Sequence, residues 1–336
     1  MKHLAPFLLL LALAAPVPAR ADPVVDRVVD TVILPRFDAF AEAAGTLSAA
    51  AEADCRADSP ALRAAWNDAF DAWLPVQAFR FGPLEEDGRG LAIAFWPDPK
   101  GATDRTLRQL LAADGPELDG PAAYHGVSVA ARGLYALEAM LFDPAFSSYG
   151  PGDPGCALTR AAAGDLAATA AAAAEAWHRD FAPLLRDAGA PGNTRFLSGH
   201  EARQAIFTQL VTQLGFDAET RLGRPLGTIE RPRPLRAESR LSGRSLRNVQ
   251  LSLAANRALA QALTDGGTEL LFDQFDYAQQ VAARLSDPVF DAVEAPTGRM
   301  RTEELKTAIE RLHDTANAEL AAELGVAAGF NALDGD

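Results

Sequence analysis

Tyr135 and Glu138 stand three residues apart in an apolar stretch from Val127 to Phe142. Its apolar residues, Val127, Ala130, Leu134, Leu137 and Leu141, recur at helical spacing. One turn apart on a helix, a phenol and a carboxylate can address one ligand. Glu138 falls about 40° around the helix from Leu134, at the edge of the buried arc. A carboxylate placed there is partly desolvated and needs a cation, a metal or a hydrogen-bond donor to answer it. A neutral phenol with a pKa of about 10 is a poor zinc ligand. Tyrosinate is, however, a hard oxygen donor suited to Fe(III), which leaves Tyr135 and Glu138 open to an iron role without identifying a cofactor. The competing reading is a structural Glu paired with an Arg, with an amphipathic Tyr beside it.

The chain has 28 Arg and only three Lys, and eight of the Arg lie between Arg221 and Arg247. Only Glu230 and Glu238 oppose them within that segment. These Arg either neutralise acidic faces of neighbouring helices or hold an anionic ligand. Ser242-Gly243-Arg244-Ser245 fits the second use, with two hydroxyls, a guanidinium fork and free backbone N–H groups at a helix start. Arg244 and Arg80 are also candidate partners for Glu138.

The histidines offer little catalytic machinery. Beyond the first 21 residues they are His125, His178, His200 and His313. His200-Glu201 opens like the zinc-peptidase pattern HExxH, but Gln204 stands where the second His belongs. Ser198 to Glu201 also has the spacing of a helix-capping box, so the pair reads as structural. His178 and His313 read as surface or bundle residues. His125, just ahead of the Tyr135/Glu138 helix, is kept as a candidate binding residue.

An all-α chain must position these groups, since the sequence is Ala-rich and nearly free of β-branched alternation. Eight helical stretches are expected, near residues 24–53, 60–80, 127–142, 158–185, 198–222, 245–263, 269–285 and 302–324. Four lie on each side of Gly189-Ala190-Pro191-Gly192, which suggests two helical bundles side by side, residues 22–190 and 191–336. The 82–126 connection is too long for a plain bundle loop and contains one short amphipathic piece over 104–112. Cys55 falls in the first helix–helix loop and Cys156 in the third. In an up-down-up-down bundle those loops share an end, so the two are expected to form a disulfide in an oxidising compartment.

Residues 1–21 read as a cleavable signal peptide: Lys2, an apolar run from Leu4 to Ala15, then Ala19-Arg20-Ala21. The run is too short to span a bilayer, and no Cys near the cleavage point would take a lipid. Cleavage would leave 315 of the 336 residues and move the net charge from −14 to −16, since Lys2 and Arg20 are lost. That charge argues against a nucleic-acid partner. No transmembrane segment is expected elsewhere.

Arg132-Gly133-Leu134-Tyr135-Ala136-Leu137-Glu138 resembles the signature helix of the imelysin family, whose motif is G-x-H-x-x-E; here Tyr135 replaces the His. Arg80-Phe81-Gly82-Pro83, Leu222-Gly223-Arg224-Pro225-Leu226-Gly227, Ser242-Gly243-Arg244-Ser245-Leu246 and the ending Gly329–Asp336 resemble the family in the same order. The resemblance implies a two-bundle helical fold with a site between the bundles, an envelope location and an association with iron uptake. The expected function is that of a periplasmic binding or accessory protein without peptidase activity. It would hold a small anionic or iron-containing ligand through Tyr135, Glu138, Arg80, Arg132, Ser242, Arg244, Ser245 and His125. An uptake partner in the envelope is compatible with that role, although no residue identifies one. The alternatives are a metallopeptidase, with Glu138 as ligand or general base, and a structural envelope protein with no ligand.

Overall fold

Asp22, Ser59 and Ser198 each begin a helix by capping it. The Asp22 carboxylate accepts from the Val24 and Val25 N–H groups, Ser59 Oγ from Leu62, and Ser198 Oγ from Glu201. Pro23 and Pro60 follow the first two caps at a position where a missing N–H costs nothing. The computed structural model describes residues 22–327. The expected signal peptide and the 328–336 tail lie outside the described residues.

The helices, in chain order, are α1 (Pro23–Val28), α2 (Leu34–Ala53), α3 (Pro60–Val76), α4 (Arg89–Ile93), α5 (Ala102–Ala113), α6 (Pro121–Tyr124), α7 (Gly133–Phe142), α8 (Pro154–Ala176) and α9 (Ala182–Arg186). They continue with α10 (Gly199–Gly215), α11 (Gly223–Leu226), α12 (Ser245–Leu263), α13 (Glu269–Arg284), α14 (Pro296–Thr315) and α15 (Ala321–Leu324). The described residues contain no strand, and none of their helices is long and apolar enough to cross a membrane. Wider π-type turns join α1 to α2 (Val29–Ile33), α8 to α9 (Trp177–Phe181), α10 to α11 (Phe216–Leu222) and α14 to α15 (Ala316–Leu320). Each therefore reads in sequence as one long helix.

α2 packs against α3 and α8, and α7 against α8 and α3; farther along, α12 packs against α13 and α10, and α13 against α14. α3 and α12 lie against each other and connect these two groups. Cys55 and Cys156 are bonded, with Cα atoms 5.2 Å apart, joining the end of α2 to the first turn of α8. The amphipathic piece expected over 104–112 is α5, and α4, α6 and three 3₁₀ turns break up the rest of that connection.

Two expectations for the third helix need correction. It begins at Gly133 instead of Val127, because Val129–Ala131 forms a separate 3₁₀ turn. Burial is also not confined to a stripe, since every residue from Gly133 to Leu141 is buried. Gly133 marks the break: its φ is +71°, and a Cβ there would sit 2.1 Å from the Ile93 carbonyl oxygen and 2.3 Å from that of Ala92. Gly133→Ala should therefore cost more than the ~1–3 kcal/mol of a strained backbone alone, because α4 must also shift. Chemical denaturation checks this, and a loss below about 1 kcal/mol would be incompatible with the packing described.

Candidate functional site

Tyr135 and Glu138 project from α7 toward the segment before α12, each to its own partner. Tyr135 Oη donates to Glu238 Oε1 at 2.6 Å. Glu138 Oε1 accepts from the Ser242 backbone N–H at 3.0 Å and from Ser242 Oγ at 2.6 Å. Both side chains are buried. Trp66 Nε1 donates to the Leu134 carbonyl and Arg63 to that of Leu141, which ties α7 to α3 at both ends.

Glu238 is the hub of a buried charge network. Its Oε2 accepts from Arg221 Nε at 2.7 Å and Asn248 Nδ2 at 2.9 Å. Arg221 also donates to Asp217 and to Gln77 Oε1 of the turn after α3. Asp217 accepts from Ser252 Oγ at 2.7 Å and Gln213 Nε2 at 3.0 Å. The π turn Phe216–Leu222 supplies Asp217 and Arg221, four residues apart on one face. A second guanidinium lies on the other side of Asn248: Arg244 Nε donates to Asn248 Oδ1, while its Nη atoms reach Asn67 and Asp71 of α3. Arg247 shares Asp71.

Burial works against every charge here, and the neighbours decide which survives. Burial alone would raise the Glu238 carboxyl, yet Arg221, Tyr135 and Asn248 hold it below the ordinary range. Arg221 is raised, since the Glu238 and Asp217 carboxylates outweigh the desolvation that would lower it. The Tyr135 phenol is pushed well above 10 by burial, with Glu238 adding to the effect. Glu138 is pushed up to about 7 by burial, which the two Ser242 hydrogen bonds only partly offset.

A raised carboxyl pKa makes stability fall with pH. Between the unfolded value and about 7 the native state keeps a proton that the unfolded chain releases. Glu138 should therefore weaken folding progressively across that window, by roughly 3 kcal/mol in total, and cost nothing further above it. Glu138→Gln keeps an oxygen for Ser242 and removes the charge. It should match the parent at low pH and exceed it in urea resistance at pH 8; equal midpoints at pH 8 would refute the assignment.

Several expected partnerships are not formed. Arg244 pairs with Asp71 and not with Glu138. Arg80 does not reach Glu138 either; its guanidinium lies 4.3 Å over the Phe216 ring. The anion held by the turn at Ser242 is the protein's own Glu138. Ser245 Oγ donates to the Glu238 carbonyl and closes the loop. Arg132 and His125 belong to a different cluster around Asp165 of α8, with Arg132 Nε 2.7 Å from Asp165 Oδ2 and His125 Nδ1 3.0 Å from Oδ1. Arg132 precedes the first residue of α7 and so is not carried on the helical face of Tyr135. Among the remaining histidines, His178 meets Asp38, His200 meets the Gly325 carbonyl, and His313 meets Asp314.

As direct metal ligands, Tyr135 and Glu138 fit poorly. The phenol keeps its proton and donates it in a hydrogen bond to Glu238, and Glu138 is engaged by Ser242. Among the described residues no group of three or more His, Cys, Asp or Glu is placed to hold a metal ion.

Sequence reasoning did not select Asp217, Arg221, Asn248, Asn67 or Asp71 individually. One signal was available: Ser245, Asn248, Ser252 and Asn256 form a polar stripe on α12, and all four are buried. Such a stripe must meet polar partners.

Beside the network, the cations outnumber their partners. Trp96, half-buried, stacks on Tyr135 with ring centroids 6.3 Å apart and stands edge-on to Phe216 at 6.0 Å. Arg224 lies 5.6 Å from the Trp96 ring. Among the described residues neither the Arg80 nor the Arg224 guanidinium has a carboxylate or hydrogen-bond partner, whereas Arg221, Arg240, Arg244 and Arg247 are all paired. Burial, reinforced by Arg221, lowers Arg80 to about 10. An anion docked here would gain from two guanidiniums that have no hydrogen-bonded acceptor among the described residues.

The fold agrees with solved proteins. An imelysin-like protein from Psychrobacter arcticum superposes with a TM-score of 0.72 over 94% of this chain and 100% of its own, at 17% identity. An iron-regulated protein A precursor from Parabacteroides distasonis gives 0.69 over 90% and 97%, at 14% identity. At such identities the likeness establishes the fold alone. In sequence, Iron-regulated protein A of Synechococcus elongatus is 24% identical over 318 residues, covering 87% of this chain and 83% of the relative. The peptidase M75 family model, Imelysin, matches residues 33–316, and with that extent the chain belongs to the imelysin family.

Proposed function

We propose that this is a periplasmic, non-peptidase binding or accessory protein with an iron-related role. It holds a small anionic ligand at the junction of two bundles divided near residue 190. The observation that carries this reading is the pair of guanidiniums without a carboxylate or hydrogen-bond partner among the described residues, Arg80 over Phe216 and Arg224 over half-buried Trp96, two rings in contact with each other beside Tyr135. The name of the Synechococcus elongatus relative supports the link to iron. Because Tyr135 and Glu138 are occupied by Glu238 and Ser242, iron is held as an anionic chelate recognised by Arg, not through Tyr135 and Glu138 as direct ligands. A membrane-bound uptake partner would receive it.

Isothermal titration of the mature protein with citrate, ferric citrate, Fe(III) and Zn(II) tests this. Ferric citrate or citrate should bind, and Arg80→Ala should weaken binding at least tenfold, roughly the 1.5–3 kcal/mol of a charge-assisted contact. No heat and no thermal shift with any of them would sink the proposal. Metal-dependent proteolysis abolished by Glu138→Gln would favour the peptidase instead.

A further inference from the structure

Arg132, Asp165 and His125 line or border a recess of about 230 Å³ that has no part in the network around Glu238. Arg132 is only 5% exposed, and its guanidinium is unevenly used. Nε and Nη2 grip the buried Asp165 carboxylate at 2.7 and 2.9 Å, and Nη2 also reaches Thr169 Oγ1 and His125 Nδ1. Nη1 makes no hydrogen bond among the described residues. Arg132 Nη1 therefore keeps its two N–H groups for an acceptor that enters the recess. His125 has 65% of its side chain exposed, and its Nδ1 lies 3.0 Å from both Arg132 Nη2 and Asp165 Oδ1; as acceptor from Arg132 it leaves the ring proton on Nε2, which has no partner among the described residues.

The rest of the lining sets the size and charge of the occupant. Ala168 and Ala172, one turn apart on α8, and Ala92 of α4 give a short apolar floor. Arg89 contributes no spare charge, because it is taken up by Glu86 and Asp87. With Asp165 and Asp87 close by, a dianion would meet two carboxylates, whereas a single carboxylate needs only Arg132 Nη1 and His125 Nε2.

We propose that this recess is a second ligand site, taking a short-chain monocarboxylate whose head meets Arg132 and His125 and whose tail lies on the alanine floor. It is independent of the site around Arg80. The test is NMR titration of the His125 ring protons in the full mature protein with butyrate, with 1-butanol and phosphate as separate arms. Butyrate should shift these signals saturably, and butanol and phosphate should not. Ala172→Leu fills the recess without touching the Arg132–Asp165 pair and should weaken butyrate at least tenfold; Ala168→Leu, also on the exposed face of α8, should do the same. Arg80→Ala should leave the titration unchanged. An unmoved His125, equal response to phosphate, or undiminished binding in both Leu variants would overturn the proposal.

Discussion

Replacing Arg221 by Met is expected to destabilise the protein by about 3–5 kcal/mol, the usual cost of removing one partner from a buried charge cluster. Arg221 is 1% exposed and holds two buried carboxylates, Asp217 and Glu238, together with Gln77. Met fills much of the volume, so the loss reports on charge more than packing. Glu238 would then keep only Tyr135 and Asn248, both neutral donors. Adding Glu238→Gln to Arg221→Met should recover part of the loss, since one stranded charge disappears. Urea denaturation of the three proteins measures the cycle. A single-variant loss below about 1 kcal/mol, or no recovery in the double variant, would show that the network is not the structural hub described.

The second large effect is expected at the Cys55–Cys156 disulfide. It closes a loop with a sequence separation of 101. In the chain-entropy account a loop of this length is worth ~4–5 kcal/mol, chiefly by restricting the unfolded chain. Reduction, or the Cys55→Ser/Cys156→Ser pair, should lower the denaturant midpoint accordingly while leaving the helical circular dichroism intact. Both sulfurs are buried, so a reductant should act slowly on the native state and faster once urea opens it. Equal stability with and without the bond would contradict this. Because the Arg221 network links α3, α7 and α12 while the disulfide joins α2 to α8, the two losses should be additive.

Both effects bear on the proposed ligand site. Tyr135 stacks under Trp96, and Phe216 carries Arg80, so the residues proposed to meet an anion rest on the Glu238–Arg221 network. A variant that loosens the network should lose binding together with stability, whereas Arg80→Ala should lose binding alone. That contrast separates a positioning residue from one that touches the ligand.

Local physics made much of the fold legible in the sequence. Ser59-Pro60 and Ser198–Glu201 announce helix starts through capping chemistry that involves only neighbours. The two cysteines were pairable because helix order alone places their loops at one end. The Gly133-x-Tyr135-x-x-Glu138 spacing put both polar side chains on one turn, where they are found. Less legible was the start of α7: no local signal reveals that Gly133 must adopt a positive φ, because the cause is the carbonyls of Ala92 and Ile93, forty residues away in the chain.

The sequence by itself determined the helical class, the helix caps, the cysteine pairing and the coincidence of Tyr135 with Glu138. All of these depend on periodicity or chain order. Only the tertiary structure decided which charge meets which. Glu138 was expected to need a cation, a metal or a donor, with Arg244 and Arg80 as candidates; the donor it met is Ser242, 104 residues away, while Arg244 went to Asp71 and Tyr135 to Glu238. The physical reason is that a helix offers several polar faces and an Arg-rich segment many equivalent cations. Their pairing is chosen by how α3, α7 and α12 pack, and by the desolvation that makes each buried charge take the nearest complete set of partners.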